Sequence, residues 1–208
     1  GASAGIEVLL SEIILPAPPG QEGEAEALRR DESRTVDLDG QTWFLHAHNP
    51  PLRLVVVGAV HIAQALVPLA VQLGYGVTVA DPRRAFATDS RFPEVAMTTD
   101  WPDEAMEMLA PDARTAVVTL THDPKLDDPA LDVALRSPCF YIGALGSRRT
   151  HAKRVERLKE LGHGDDAVAR IHAPVGLDIA AVTAPSRGTW IMSQSGWGTK
   201  RWIVTATI

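Results

Sequence analysis

The chain has 208 residues, 45% of them hydrophobic and 22% charged, with a net charge of −6, which suits a globular protein of one full domain plus a smaller appendage. The acidic balance excludes a global electrostatic case for nucleic acid, no apolar run reaches the roughly 18 residues of a membrane span, and no charged-then-apolar signal segment opens the chain. The single cysteine, Cys139, excludes an internal disulfide, reads as a small buried hydrophobe in an apolar strand, and points to a reducing, cytoplasmic setting.

Residues 1–50 read as a residual β segment and linker. "IEVLLSEIILPAP" has strand-like apolar content, "PGQEGEAEALRRDESR" is a loose polar loop, and "TVDLDGQTWFLHAH" carries the Asp39-Gly40 turn signal between two extended runs. Pro50 and Pro51 mark the junction to the next domain, which runs over 51–183.

Here strands and helices alternate: strand 53–58, helix 60–74, strand 76–81, helix 100–110, strand 114–121, helix 127–137, strand 139–145 and helix 147–161. Asp100 is placed to cap the second helix, with Pro102 at its start where a missing N–H is harmless. Ala152, Val155, Leu158 and Leu161 are placed on the apolar face of the last helix. "VARIHAPV" supplies a fifth strand. Near-continuous apolar strands between helices predict an α/β fold: a Rossmann-like, doubly wound parallel sheet covered on both faces, with a small N-terminal β appendage. Residues 184–208 form a divergent tail without acidic residues or helical period, and there are no internal repeats.

The candidate site residues fall in the loops after these strands, the edge at which open parallel sheets bind ligands. In "VVVGAVHIA", Gly58 and Ala63 fit the first and third positions of a dinucleotide fingerprint, while Val60 holds the second, where a side chain obstructs close approach of a pyrophosphate. Asp81 ends the second strand, where a carboxylate would take a ribose hydroxyl pair. His122, Asp123 and Lys125 follow the third strand, with Asp127 or Asp128 capping the next helix and Asp123-Pro124 turning the chain. In "ALGSRRTHAKRVERL", Ser147 or Thr150 caps a helix whose start carries Arg148 and Arg149. Cations there oppose the helix dipole, so Gly146–Thr150 reads as an anion seat, whereas Lys153, Arg154 and Arg157 read as solvated helix surface. "RIHAPVGLD" brings His172 and Asp178 to another strand end. The histidine spacing matches no metal-ligand pattern, and no catalytic triad order stands out.

The pieces "VVVGAVHIAQALVPLA", "GYGVTVADPR", "FATDSRFP", "TLTHDPKLDDPAL", "YIGALGSRRTHAKRVERL" and "IHAPVGLDI" run in the order of the XdhC/CoxI family, accessory factors of xanthine dehydrogenase and related molybdenum hydroxylases, which this sequence resembles over about residues 50–183. The resemblance implies a C-terminal Rossmann domain, binding of molybdenum cofactor, chaperone-like delivery of it to a xanthine dehydrogenase or carbon monoxide dehydrogenase type partner, and a homodimer. The molybdopterin phosphate, or a nucleotide phosphate, would be the anion at Gly146–Thr150. The implied cofactor set is Gly58, Val60, His61, Asp81, His122, Asp123, Gly146, Ser147, Arg148, Arg149 and His172. The family's own N-terminal domain is almost absent, and the tail departs from the family's helical ending, reading as divergent or frame-shifted. A non-catalytic accessory factor is the leading reading. An NAD(P)-dependent oxidoreductase and a ligand-free interaction module are the alternatives. Neither a Tyr-x-x-x-Lys pair nor a hydride-relay histidine supports the oxidoreductase.

Overall fold

The protein's structure, a computed structural model, describes residues 5–10, 13–16, 27–28, 30–38, 41–88 and 90–176. The Asp39-Gly40 turn, Asp178 and the tail from 184 lie outside the described residues. The chain divides into two units, Gly1–Pro51 and Leu52–Ile208.

The first unit carries β1 (Gly5–Leu10), β2 (Ile13–Pro16), β3 (Arg34–Leu38) and β4 (Gln41–His48). They form an antiparallel sheet in the order β2-β1-β4-β3. The two-residue period of a strand divides β4 between two environments. Leu45 is buried, and Trp43 and Ala47 pack beside it with Ala27, Leu28 and Val36. Thr42, Phe44, His46 and His48 take the opposite face. Asn49 ties down the strand's exit by donating to the Leu28 carbonyl and the Asp31 carboxylate.

In the second unit the order is β5 (Arg53–Val57), α1 (His61–Gln72), β6 (Gly76–Ala80), β7 (Ala96–Thr98), α2 (Pro102–Leu109), β8 (Thr115–Thr119), α3 (Pro124–Arg136), β9 (Tyr141–Ala144), α4 (Arg148–Glu160), α5 (Asp165–Val168) and β10 (Ile171–His172). All six strands are parallel, in the order β10-β9-β8-β5-β6-β7. This is the expected Rossmann-like sheet. β7, with no apolar run of its own, escaped the sequence reading. The chain enters at β5, winds out to β7, returns to β8 and winds the other way, so the order reverses between β5 and β8. That reversal opens a crevice at the carboxyl ends of the two strands.

Strand alternation divides the core into two layers. Leu54 and Val56 of β5 face α1 through Ala63, Leu66, Val67 and Ala70. Val55 and Val57 face the other side, against Met106 of α2, Leu131 and Ala134 of α3 and Leu158 of α4. Among the described residues, no helix is long and apolar enough to cross a membrane.

Three local expectations are corrected. Asp100 does not cap α2: the N-cap is Trp101, without a side-chain bond, and Asp100 instead accepts from the Thr98 hydroxyl. The cap of α3 is Asp123, whose Oδ1 accepts from Lys125 N at 3.0 Å, so neither Asp127 nor Asp128 has that role. On α4, Ala152 and Leu161 are exposed, and the buried stripe consists of Arg154 and Leu158.

Arg170 closes the end of α3. Its guanidinium donates to the carbonyls of Leu135, Ser137 and Cys139, each at 2.9 Å; the first two belong to the helix end, which would otherwise leave them unpaired. Arg170→Ala is expected to lose about 1.5–3 kcal/mol, measured by urea unfolding. A loss within error would mean that water replaces the guanidinium at no cost. Cys139 lies under this clamp, and burial pushes its thiol pKa up, as suits an unreactive core residue.

Candidate functional site

The crevice is built from the exits of β5, β6, β8 and β9. Gly58, at the end of β5, has φ +108°, and a Cβ there would lie 2.6 Å from Thr121 Cγ2 and 3.2 Å from Thr121 N. The loops leaving β5 and β8 therefore touch, and only glycine fits both the space and the backbone conformation. Val60 is the extended N-cap of α1 and makes no side-chain cap bond. Its side chain packs partly into the core. His61 is exposed at the first position of α1.

Asp81 follows β6 and is 0% exposed. Its carboxylate accepts from Ala59 N at 2.8 Å, and from Arg83 N, Nε and Nη2 at 3.0, 2.9 and 2.8 Å. Burial alone would push its pKa up. The bonds from Arg83 and Ala59, with the Arg83 charge, outweigh that and hold the carboxyl below the ordinary carboxylate range. Arg83 is raised in turn, first by its hydrogen bond to Asp81. The Arg83 guanidinium also lies 4.6 Å from the Phe86 ring centroid. The carboxylate expected to meet ribose is thus engaged by the chain's own arginine, and it anchors the β5 exit through Ala59.

After β8, His122 is exposed with φ +63°, and Asp123 is exposed as the cap of α3. Beneath them lies a pair that the sequence reading missed. Arg154 and Asp127 have side chains only 2% and 1% exposed. Arg154 Nη2 donates to the Leu145 carbonyl at 2.9 Å and to Asp127 Oδ2 at 3.4 Å. Asp127 Oδ1 accepts from the Thr121 hydroxyl at 2.6 Å. Burial pushes the Asp127 carboxyl up, against the opposing pull of Thr121 and Arg154, and pulls the Arg154 guanidinium down. Arg154 is therefore no solvated surface residue, and Arg157 departs from that expectation too, pairing through two nitrogens with Asp128. The available signal was positional: Arg154 lies four residues before Leu158, on the inward stripe of α4.

At the start of α4, Gly146 has φ +140°, and its backbone turns close over Thr150. Ser147 is the cap, accepting from Thr150 N at 3.1 Å. Arg148 and Arg149 are exposed. Arg149 joins Pro124, Thr150, Lys153 and Arg157 around an open depression of about 190 Å³. His172, at the end of β10, stacks on Tyr141 with ring centroids 4.8 Å apart. The expected residues thus share one edge of the sheet but occupy separate loops. Among the described residues, Thr119 Oγ1, His151 Nδ1 and Arg154 Nε and Nη1 are buried without a hydrogen-bond partner, and no group of three or more His, Cys, Asp or Glu side chains is gathered to hold a metal.

A family model described as the XdhC Rossmann domain matches residues 54–194. The chain is 35% identical over 128 residues to the molybdenum cofactor insertion chaperone PaoD of Escherichia coli K12, covering 62% of this chain and 34% of that protein. It is 32% identical over 140 residues to the uncharacterized protein YqeB of the same organism, covering 67% and 26%. To a probable xanthine dehydrogenase subunit from Bacillus subtilis 168 it is 30% identical over 139 residues, covering 66% and 40%. The chain thus spans between 26% and 40% of the length of these relatives. Among solved structures, a xanthine dehydrogenase from Bacillus halodurans superposes with a TM-score of 0.66 at 22% identity, covering 92% of this chain and 58% of that one. That likeness shows the fold.

Proposed function

The chain belongs to the XdhC Rossmann-domain family, and on that footing we propose that it binds molybdenum cofactor and assists its insertion into a partner enzyme of the xanthine dehydrogenase or carbon monoxide dehydrogenase type. The observation that carries this reading is its 35% identity to an insertion chaperone across 128 residues, a length sufficient to include most of the parallel-sheet unit. The cofactor would bring an anionic phosphate on its pterin and the molybdenum that the partner enzyme uses.

The residues at the sheet edge fit such an anion. The first turn of α4 is a helix N-terminus, whose dipole favours an anion, Arg148 and Arg149 begin that helix, and Lys153 and Arg157 line a depression together with Arg149. Buried Arg154 carries unsatisfied donors on the same helix. The role of this chain's residues is to bind and orient; no covalent step is assigned to them. A homodimer in the cytoplasm is the working state we expect. The Asp81–Arg83 clamp speaks against NAD(P) as the ligand, because it occupies the ribose carboxylate, and Val60 stands where the dinucleotide fingerprint has its second glycine.

Purified protein should bind molybdenum cofactor, and Arg148→Ala and Arg149→Ala should each weaken binding at least several-fold, as expected when a charge-assisted hydrogen bond worth about 1.5–3 kcal/mol is lost. Both variants should melt like the parent. Equal affinity of both variants would remove the α4 start from the site, and tight NAD binding by the parent would overturn the reading in favour of an oxidoreductase.

A further inference from the structure

The turn between β9 and α4 has a cation beneath it. Arg154 lies in the second turn of α4, and like other long side chains of a helix it reaches back towards the helix start. Its Nη2 donates to the Leu145 carbonyl at 2.9 Å and would stand 3.8 Å from a Cβ placed on Gly146. The side chain is 2% exposed, yet Nε and Nη1 have no hydrogen-bond partner. Arg170 commits its guanidinium to three carbonyls. Arg154 leaves two nitrogens uncommitted at the ligand-binding edge of the sheet, where an unmet buried donor calls for a functional explanation.

Asp127 opposes this charge from one side. Its Oδ1 accepts from Thr121 N and Oγ1 beyond β8, and its Oδ2 meets Arg154 at 3.4 Å. The pair is thus polarised along the sheet edge, with the carboxylate at the β8 exit and the guanidinium at the β9 exit, under the start of α4. The Arg154 charge is felt within the first turn of that helix. His151 is held below the ordinary histidine range by burial first and by Arg154 next, and its Nδ1 is a further buried atom without a partner. Helix dipole and buried cation favour the same ligand charge.

We propose that Arg154 is the charge-selecting residue of an anion seat at Gly146–Thr150, and that the seat takes a doubly charged phosphomonoester in preference to a singly charged phosphodiester. The inference rests on the reading of this turn as the place of the cofactor's phosphate. Exposed cations such as Arg149 are screened by water and salt, whereas a cation in the interior is screened much less, so its pull on a ligand grows with each ligand charge. Arg154 is a positioning residue: it acts through its field and through the Leu145–Gly146 backbone that it holds, without touching the ligand.

The full chain should be titrated calorimetrically with methyl phosphate and dimethyl phosphate at pH 8, above the second phosphate pKa of about 6, at constant ionic strength. The parent should bind the dianionic monoester about tenfold more tightly than the monoanionic diester. Asp127→Asn/Arg154→Met removes both charges together and leaves none buried and uncompensated; it should lose that preference while melting as a folded protein. Arg154→Lys, which keeps the charge, should retain most of the preference. Asp127→Asn withdraws the opposing carboxylate and should tighten methyl phosphate binding several-fold, an effect that a purely structural pair does not give and a second test should the double variant fail to fold. A monoester preference in the double variant within about twofold of the parent's, or methyl phosphate binding by Asp127→Asn that is unchanged or weaker, would overturn the assignment. A parent that binds molybdenum cofactor but shows no monoester preference overturns the role of Arg154 alone; a parent that binds neither the esters nor the cofactor overturns the cofactor reading as well.

Discussion

Arg154→Met is expected to cost about 3–5 kcal/mol of folding stability, the range for breaking a buried ion pair from one side. The substitution keeps much of the aliphatic stem but removes the guanidinium that meets Asp127 and the Leu145 carbonyl. Asp127 then remains 1% exposed, with Thr121 supplying its hydrogen bonds. Because burial already pushes its carboxyl up, the folded state holds that proton more tightly than the unfolded chain does. Ionising Asp127 therefore costs stability as pH rises from the ordinary carboxylate value through its raised folded value. Loss of Arg154 removes a cation that opposed the shift, so the variant's deficit should shrink as pH falls back through that window. Asp127→Asn/Arg154→Met should recover much of the loss, since no uncompensated charge stays buried. Urea unfolding at neutral and mildly acidic pH measures both effects. A neutral-pH loss below about 1 kcal/mol, the magnitude of a solvent-screened pair, would contradict the buried-pair account.

Asp81→Asn should have the next largest effect, about 2–3 kcal/mol, because it replaces a charged acceptor shared by Arg83 and Ala59 with a neutral one. Its pH dependence has the opposite sign. Despite burial, the Arg83 and Ala59 bonds leave the folded carboxyl below its ordinary value. The stability contributed by this group is therefore present above the ordinary carboxylate pKa and is lost as pH falls through the depressed folded value. The parent should show that acid limb in thermal unfolding, and the asparagine variant should show a shallower one. An unchanged limb would mean that other carboxylates account for it. The same variant also loosens the anchor of the β5 exit, so its cofactor affinity reports whether that loop's position matters to the ligand.

Among the local features, those with a short-range physical cause were the most legible. The buried strands β5, β6, β8 and β9 are runs of apolar, often β-branched residues, and such runs between amphipathic helices permit little besides a covered parallel sheet. Pro102 at the start of α2 and Ser147 at the cap of α4 follow from backbone chemistry within one turn. β7 carries no comparable signal: its three residues are exposed or half-buried and are held by pairing with β6. The cap of α3 was likewise misassigned from local chemistry: the sequence offers Asp127 or Asp128 and gives Asp123 to a turn with Pro124, whereas Asp123 is the cap.

By itself, the sequence determined the parallel fold, the order of its longer elements, and the loops that gather at the carboxyl edge, because hydrophobic period and turn chemistry act over neighbouring residues. The tertiary structure alone decided which charges are buried. Arg154 meets Asp127 from 27 positions away, and Arg83 satisfies the Asp81 carboxylate that also holds Ala59, 22 positions earlier. Charged residues read as surface in a sequence because an isolated buried charge is prohibitively costly. The partner that makes such burial tolerable comes from another element, and only the fold brings the two together.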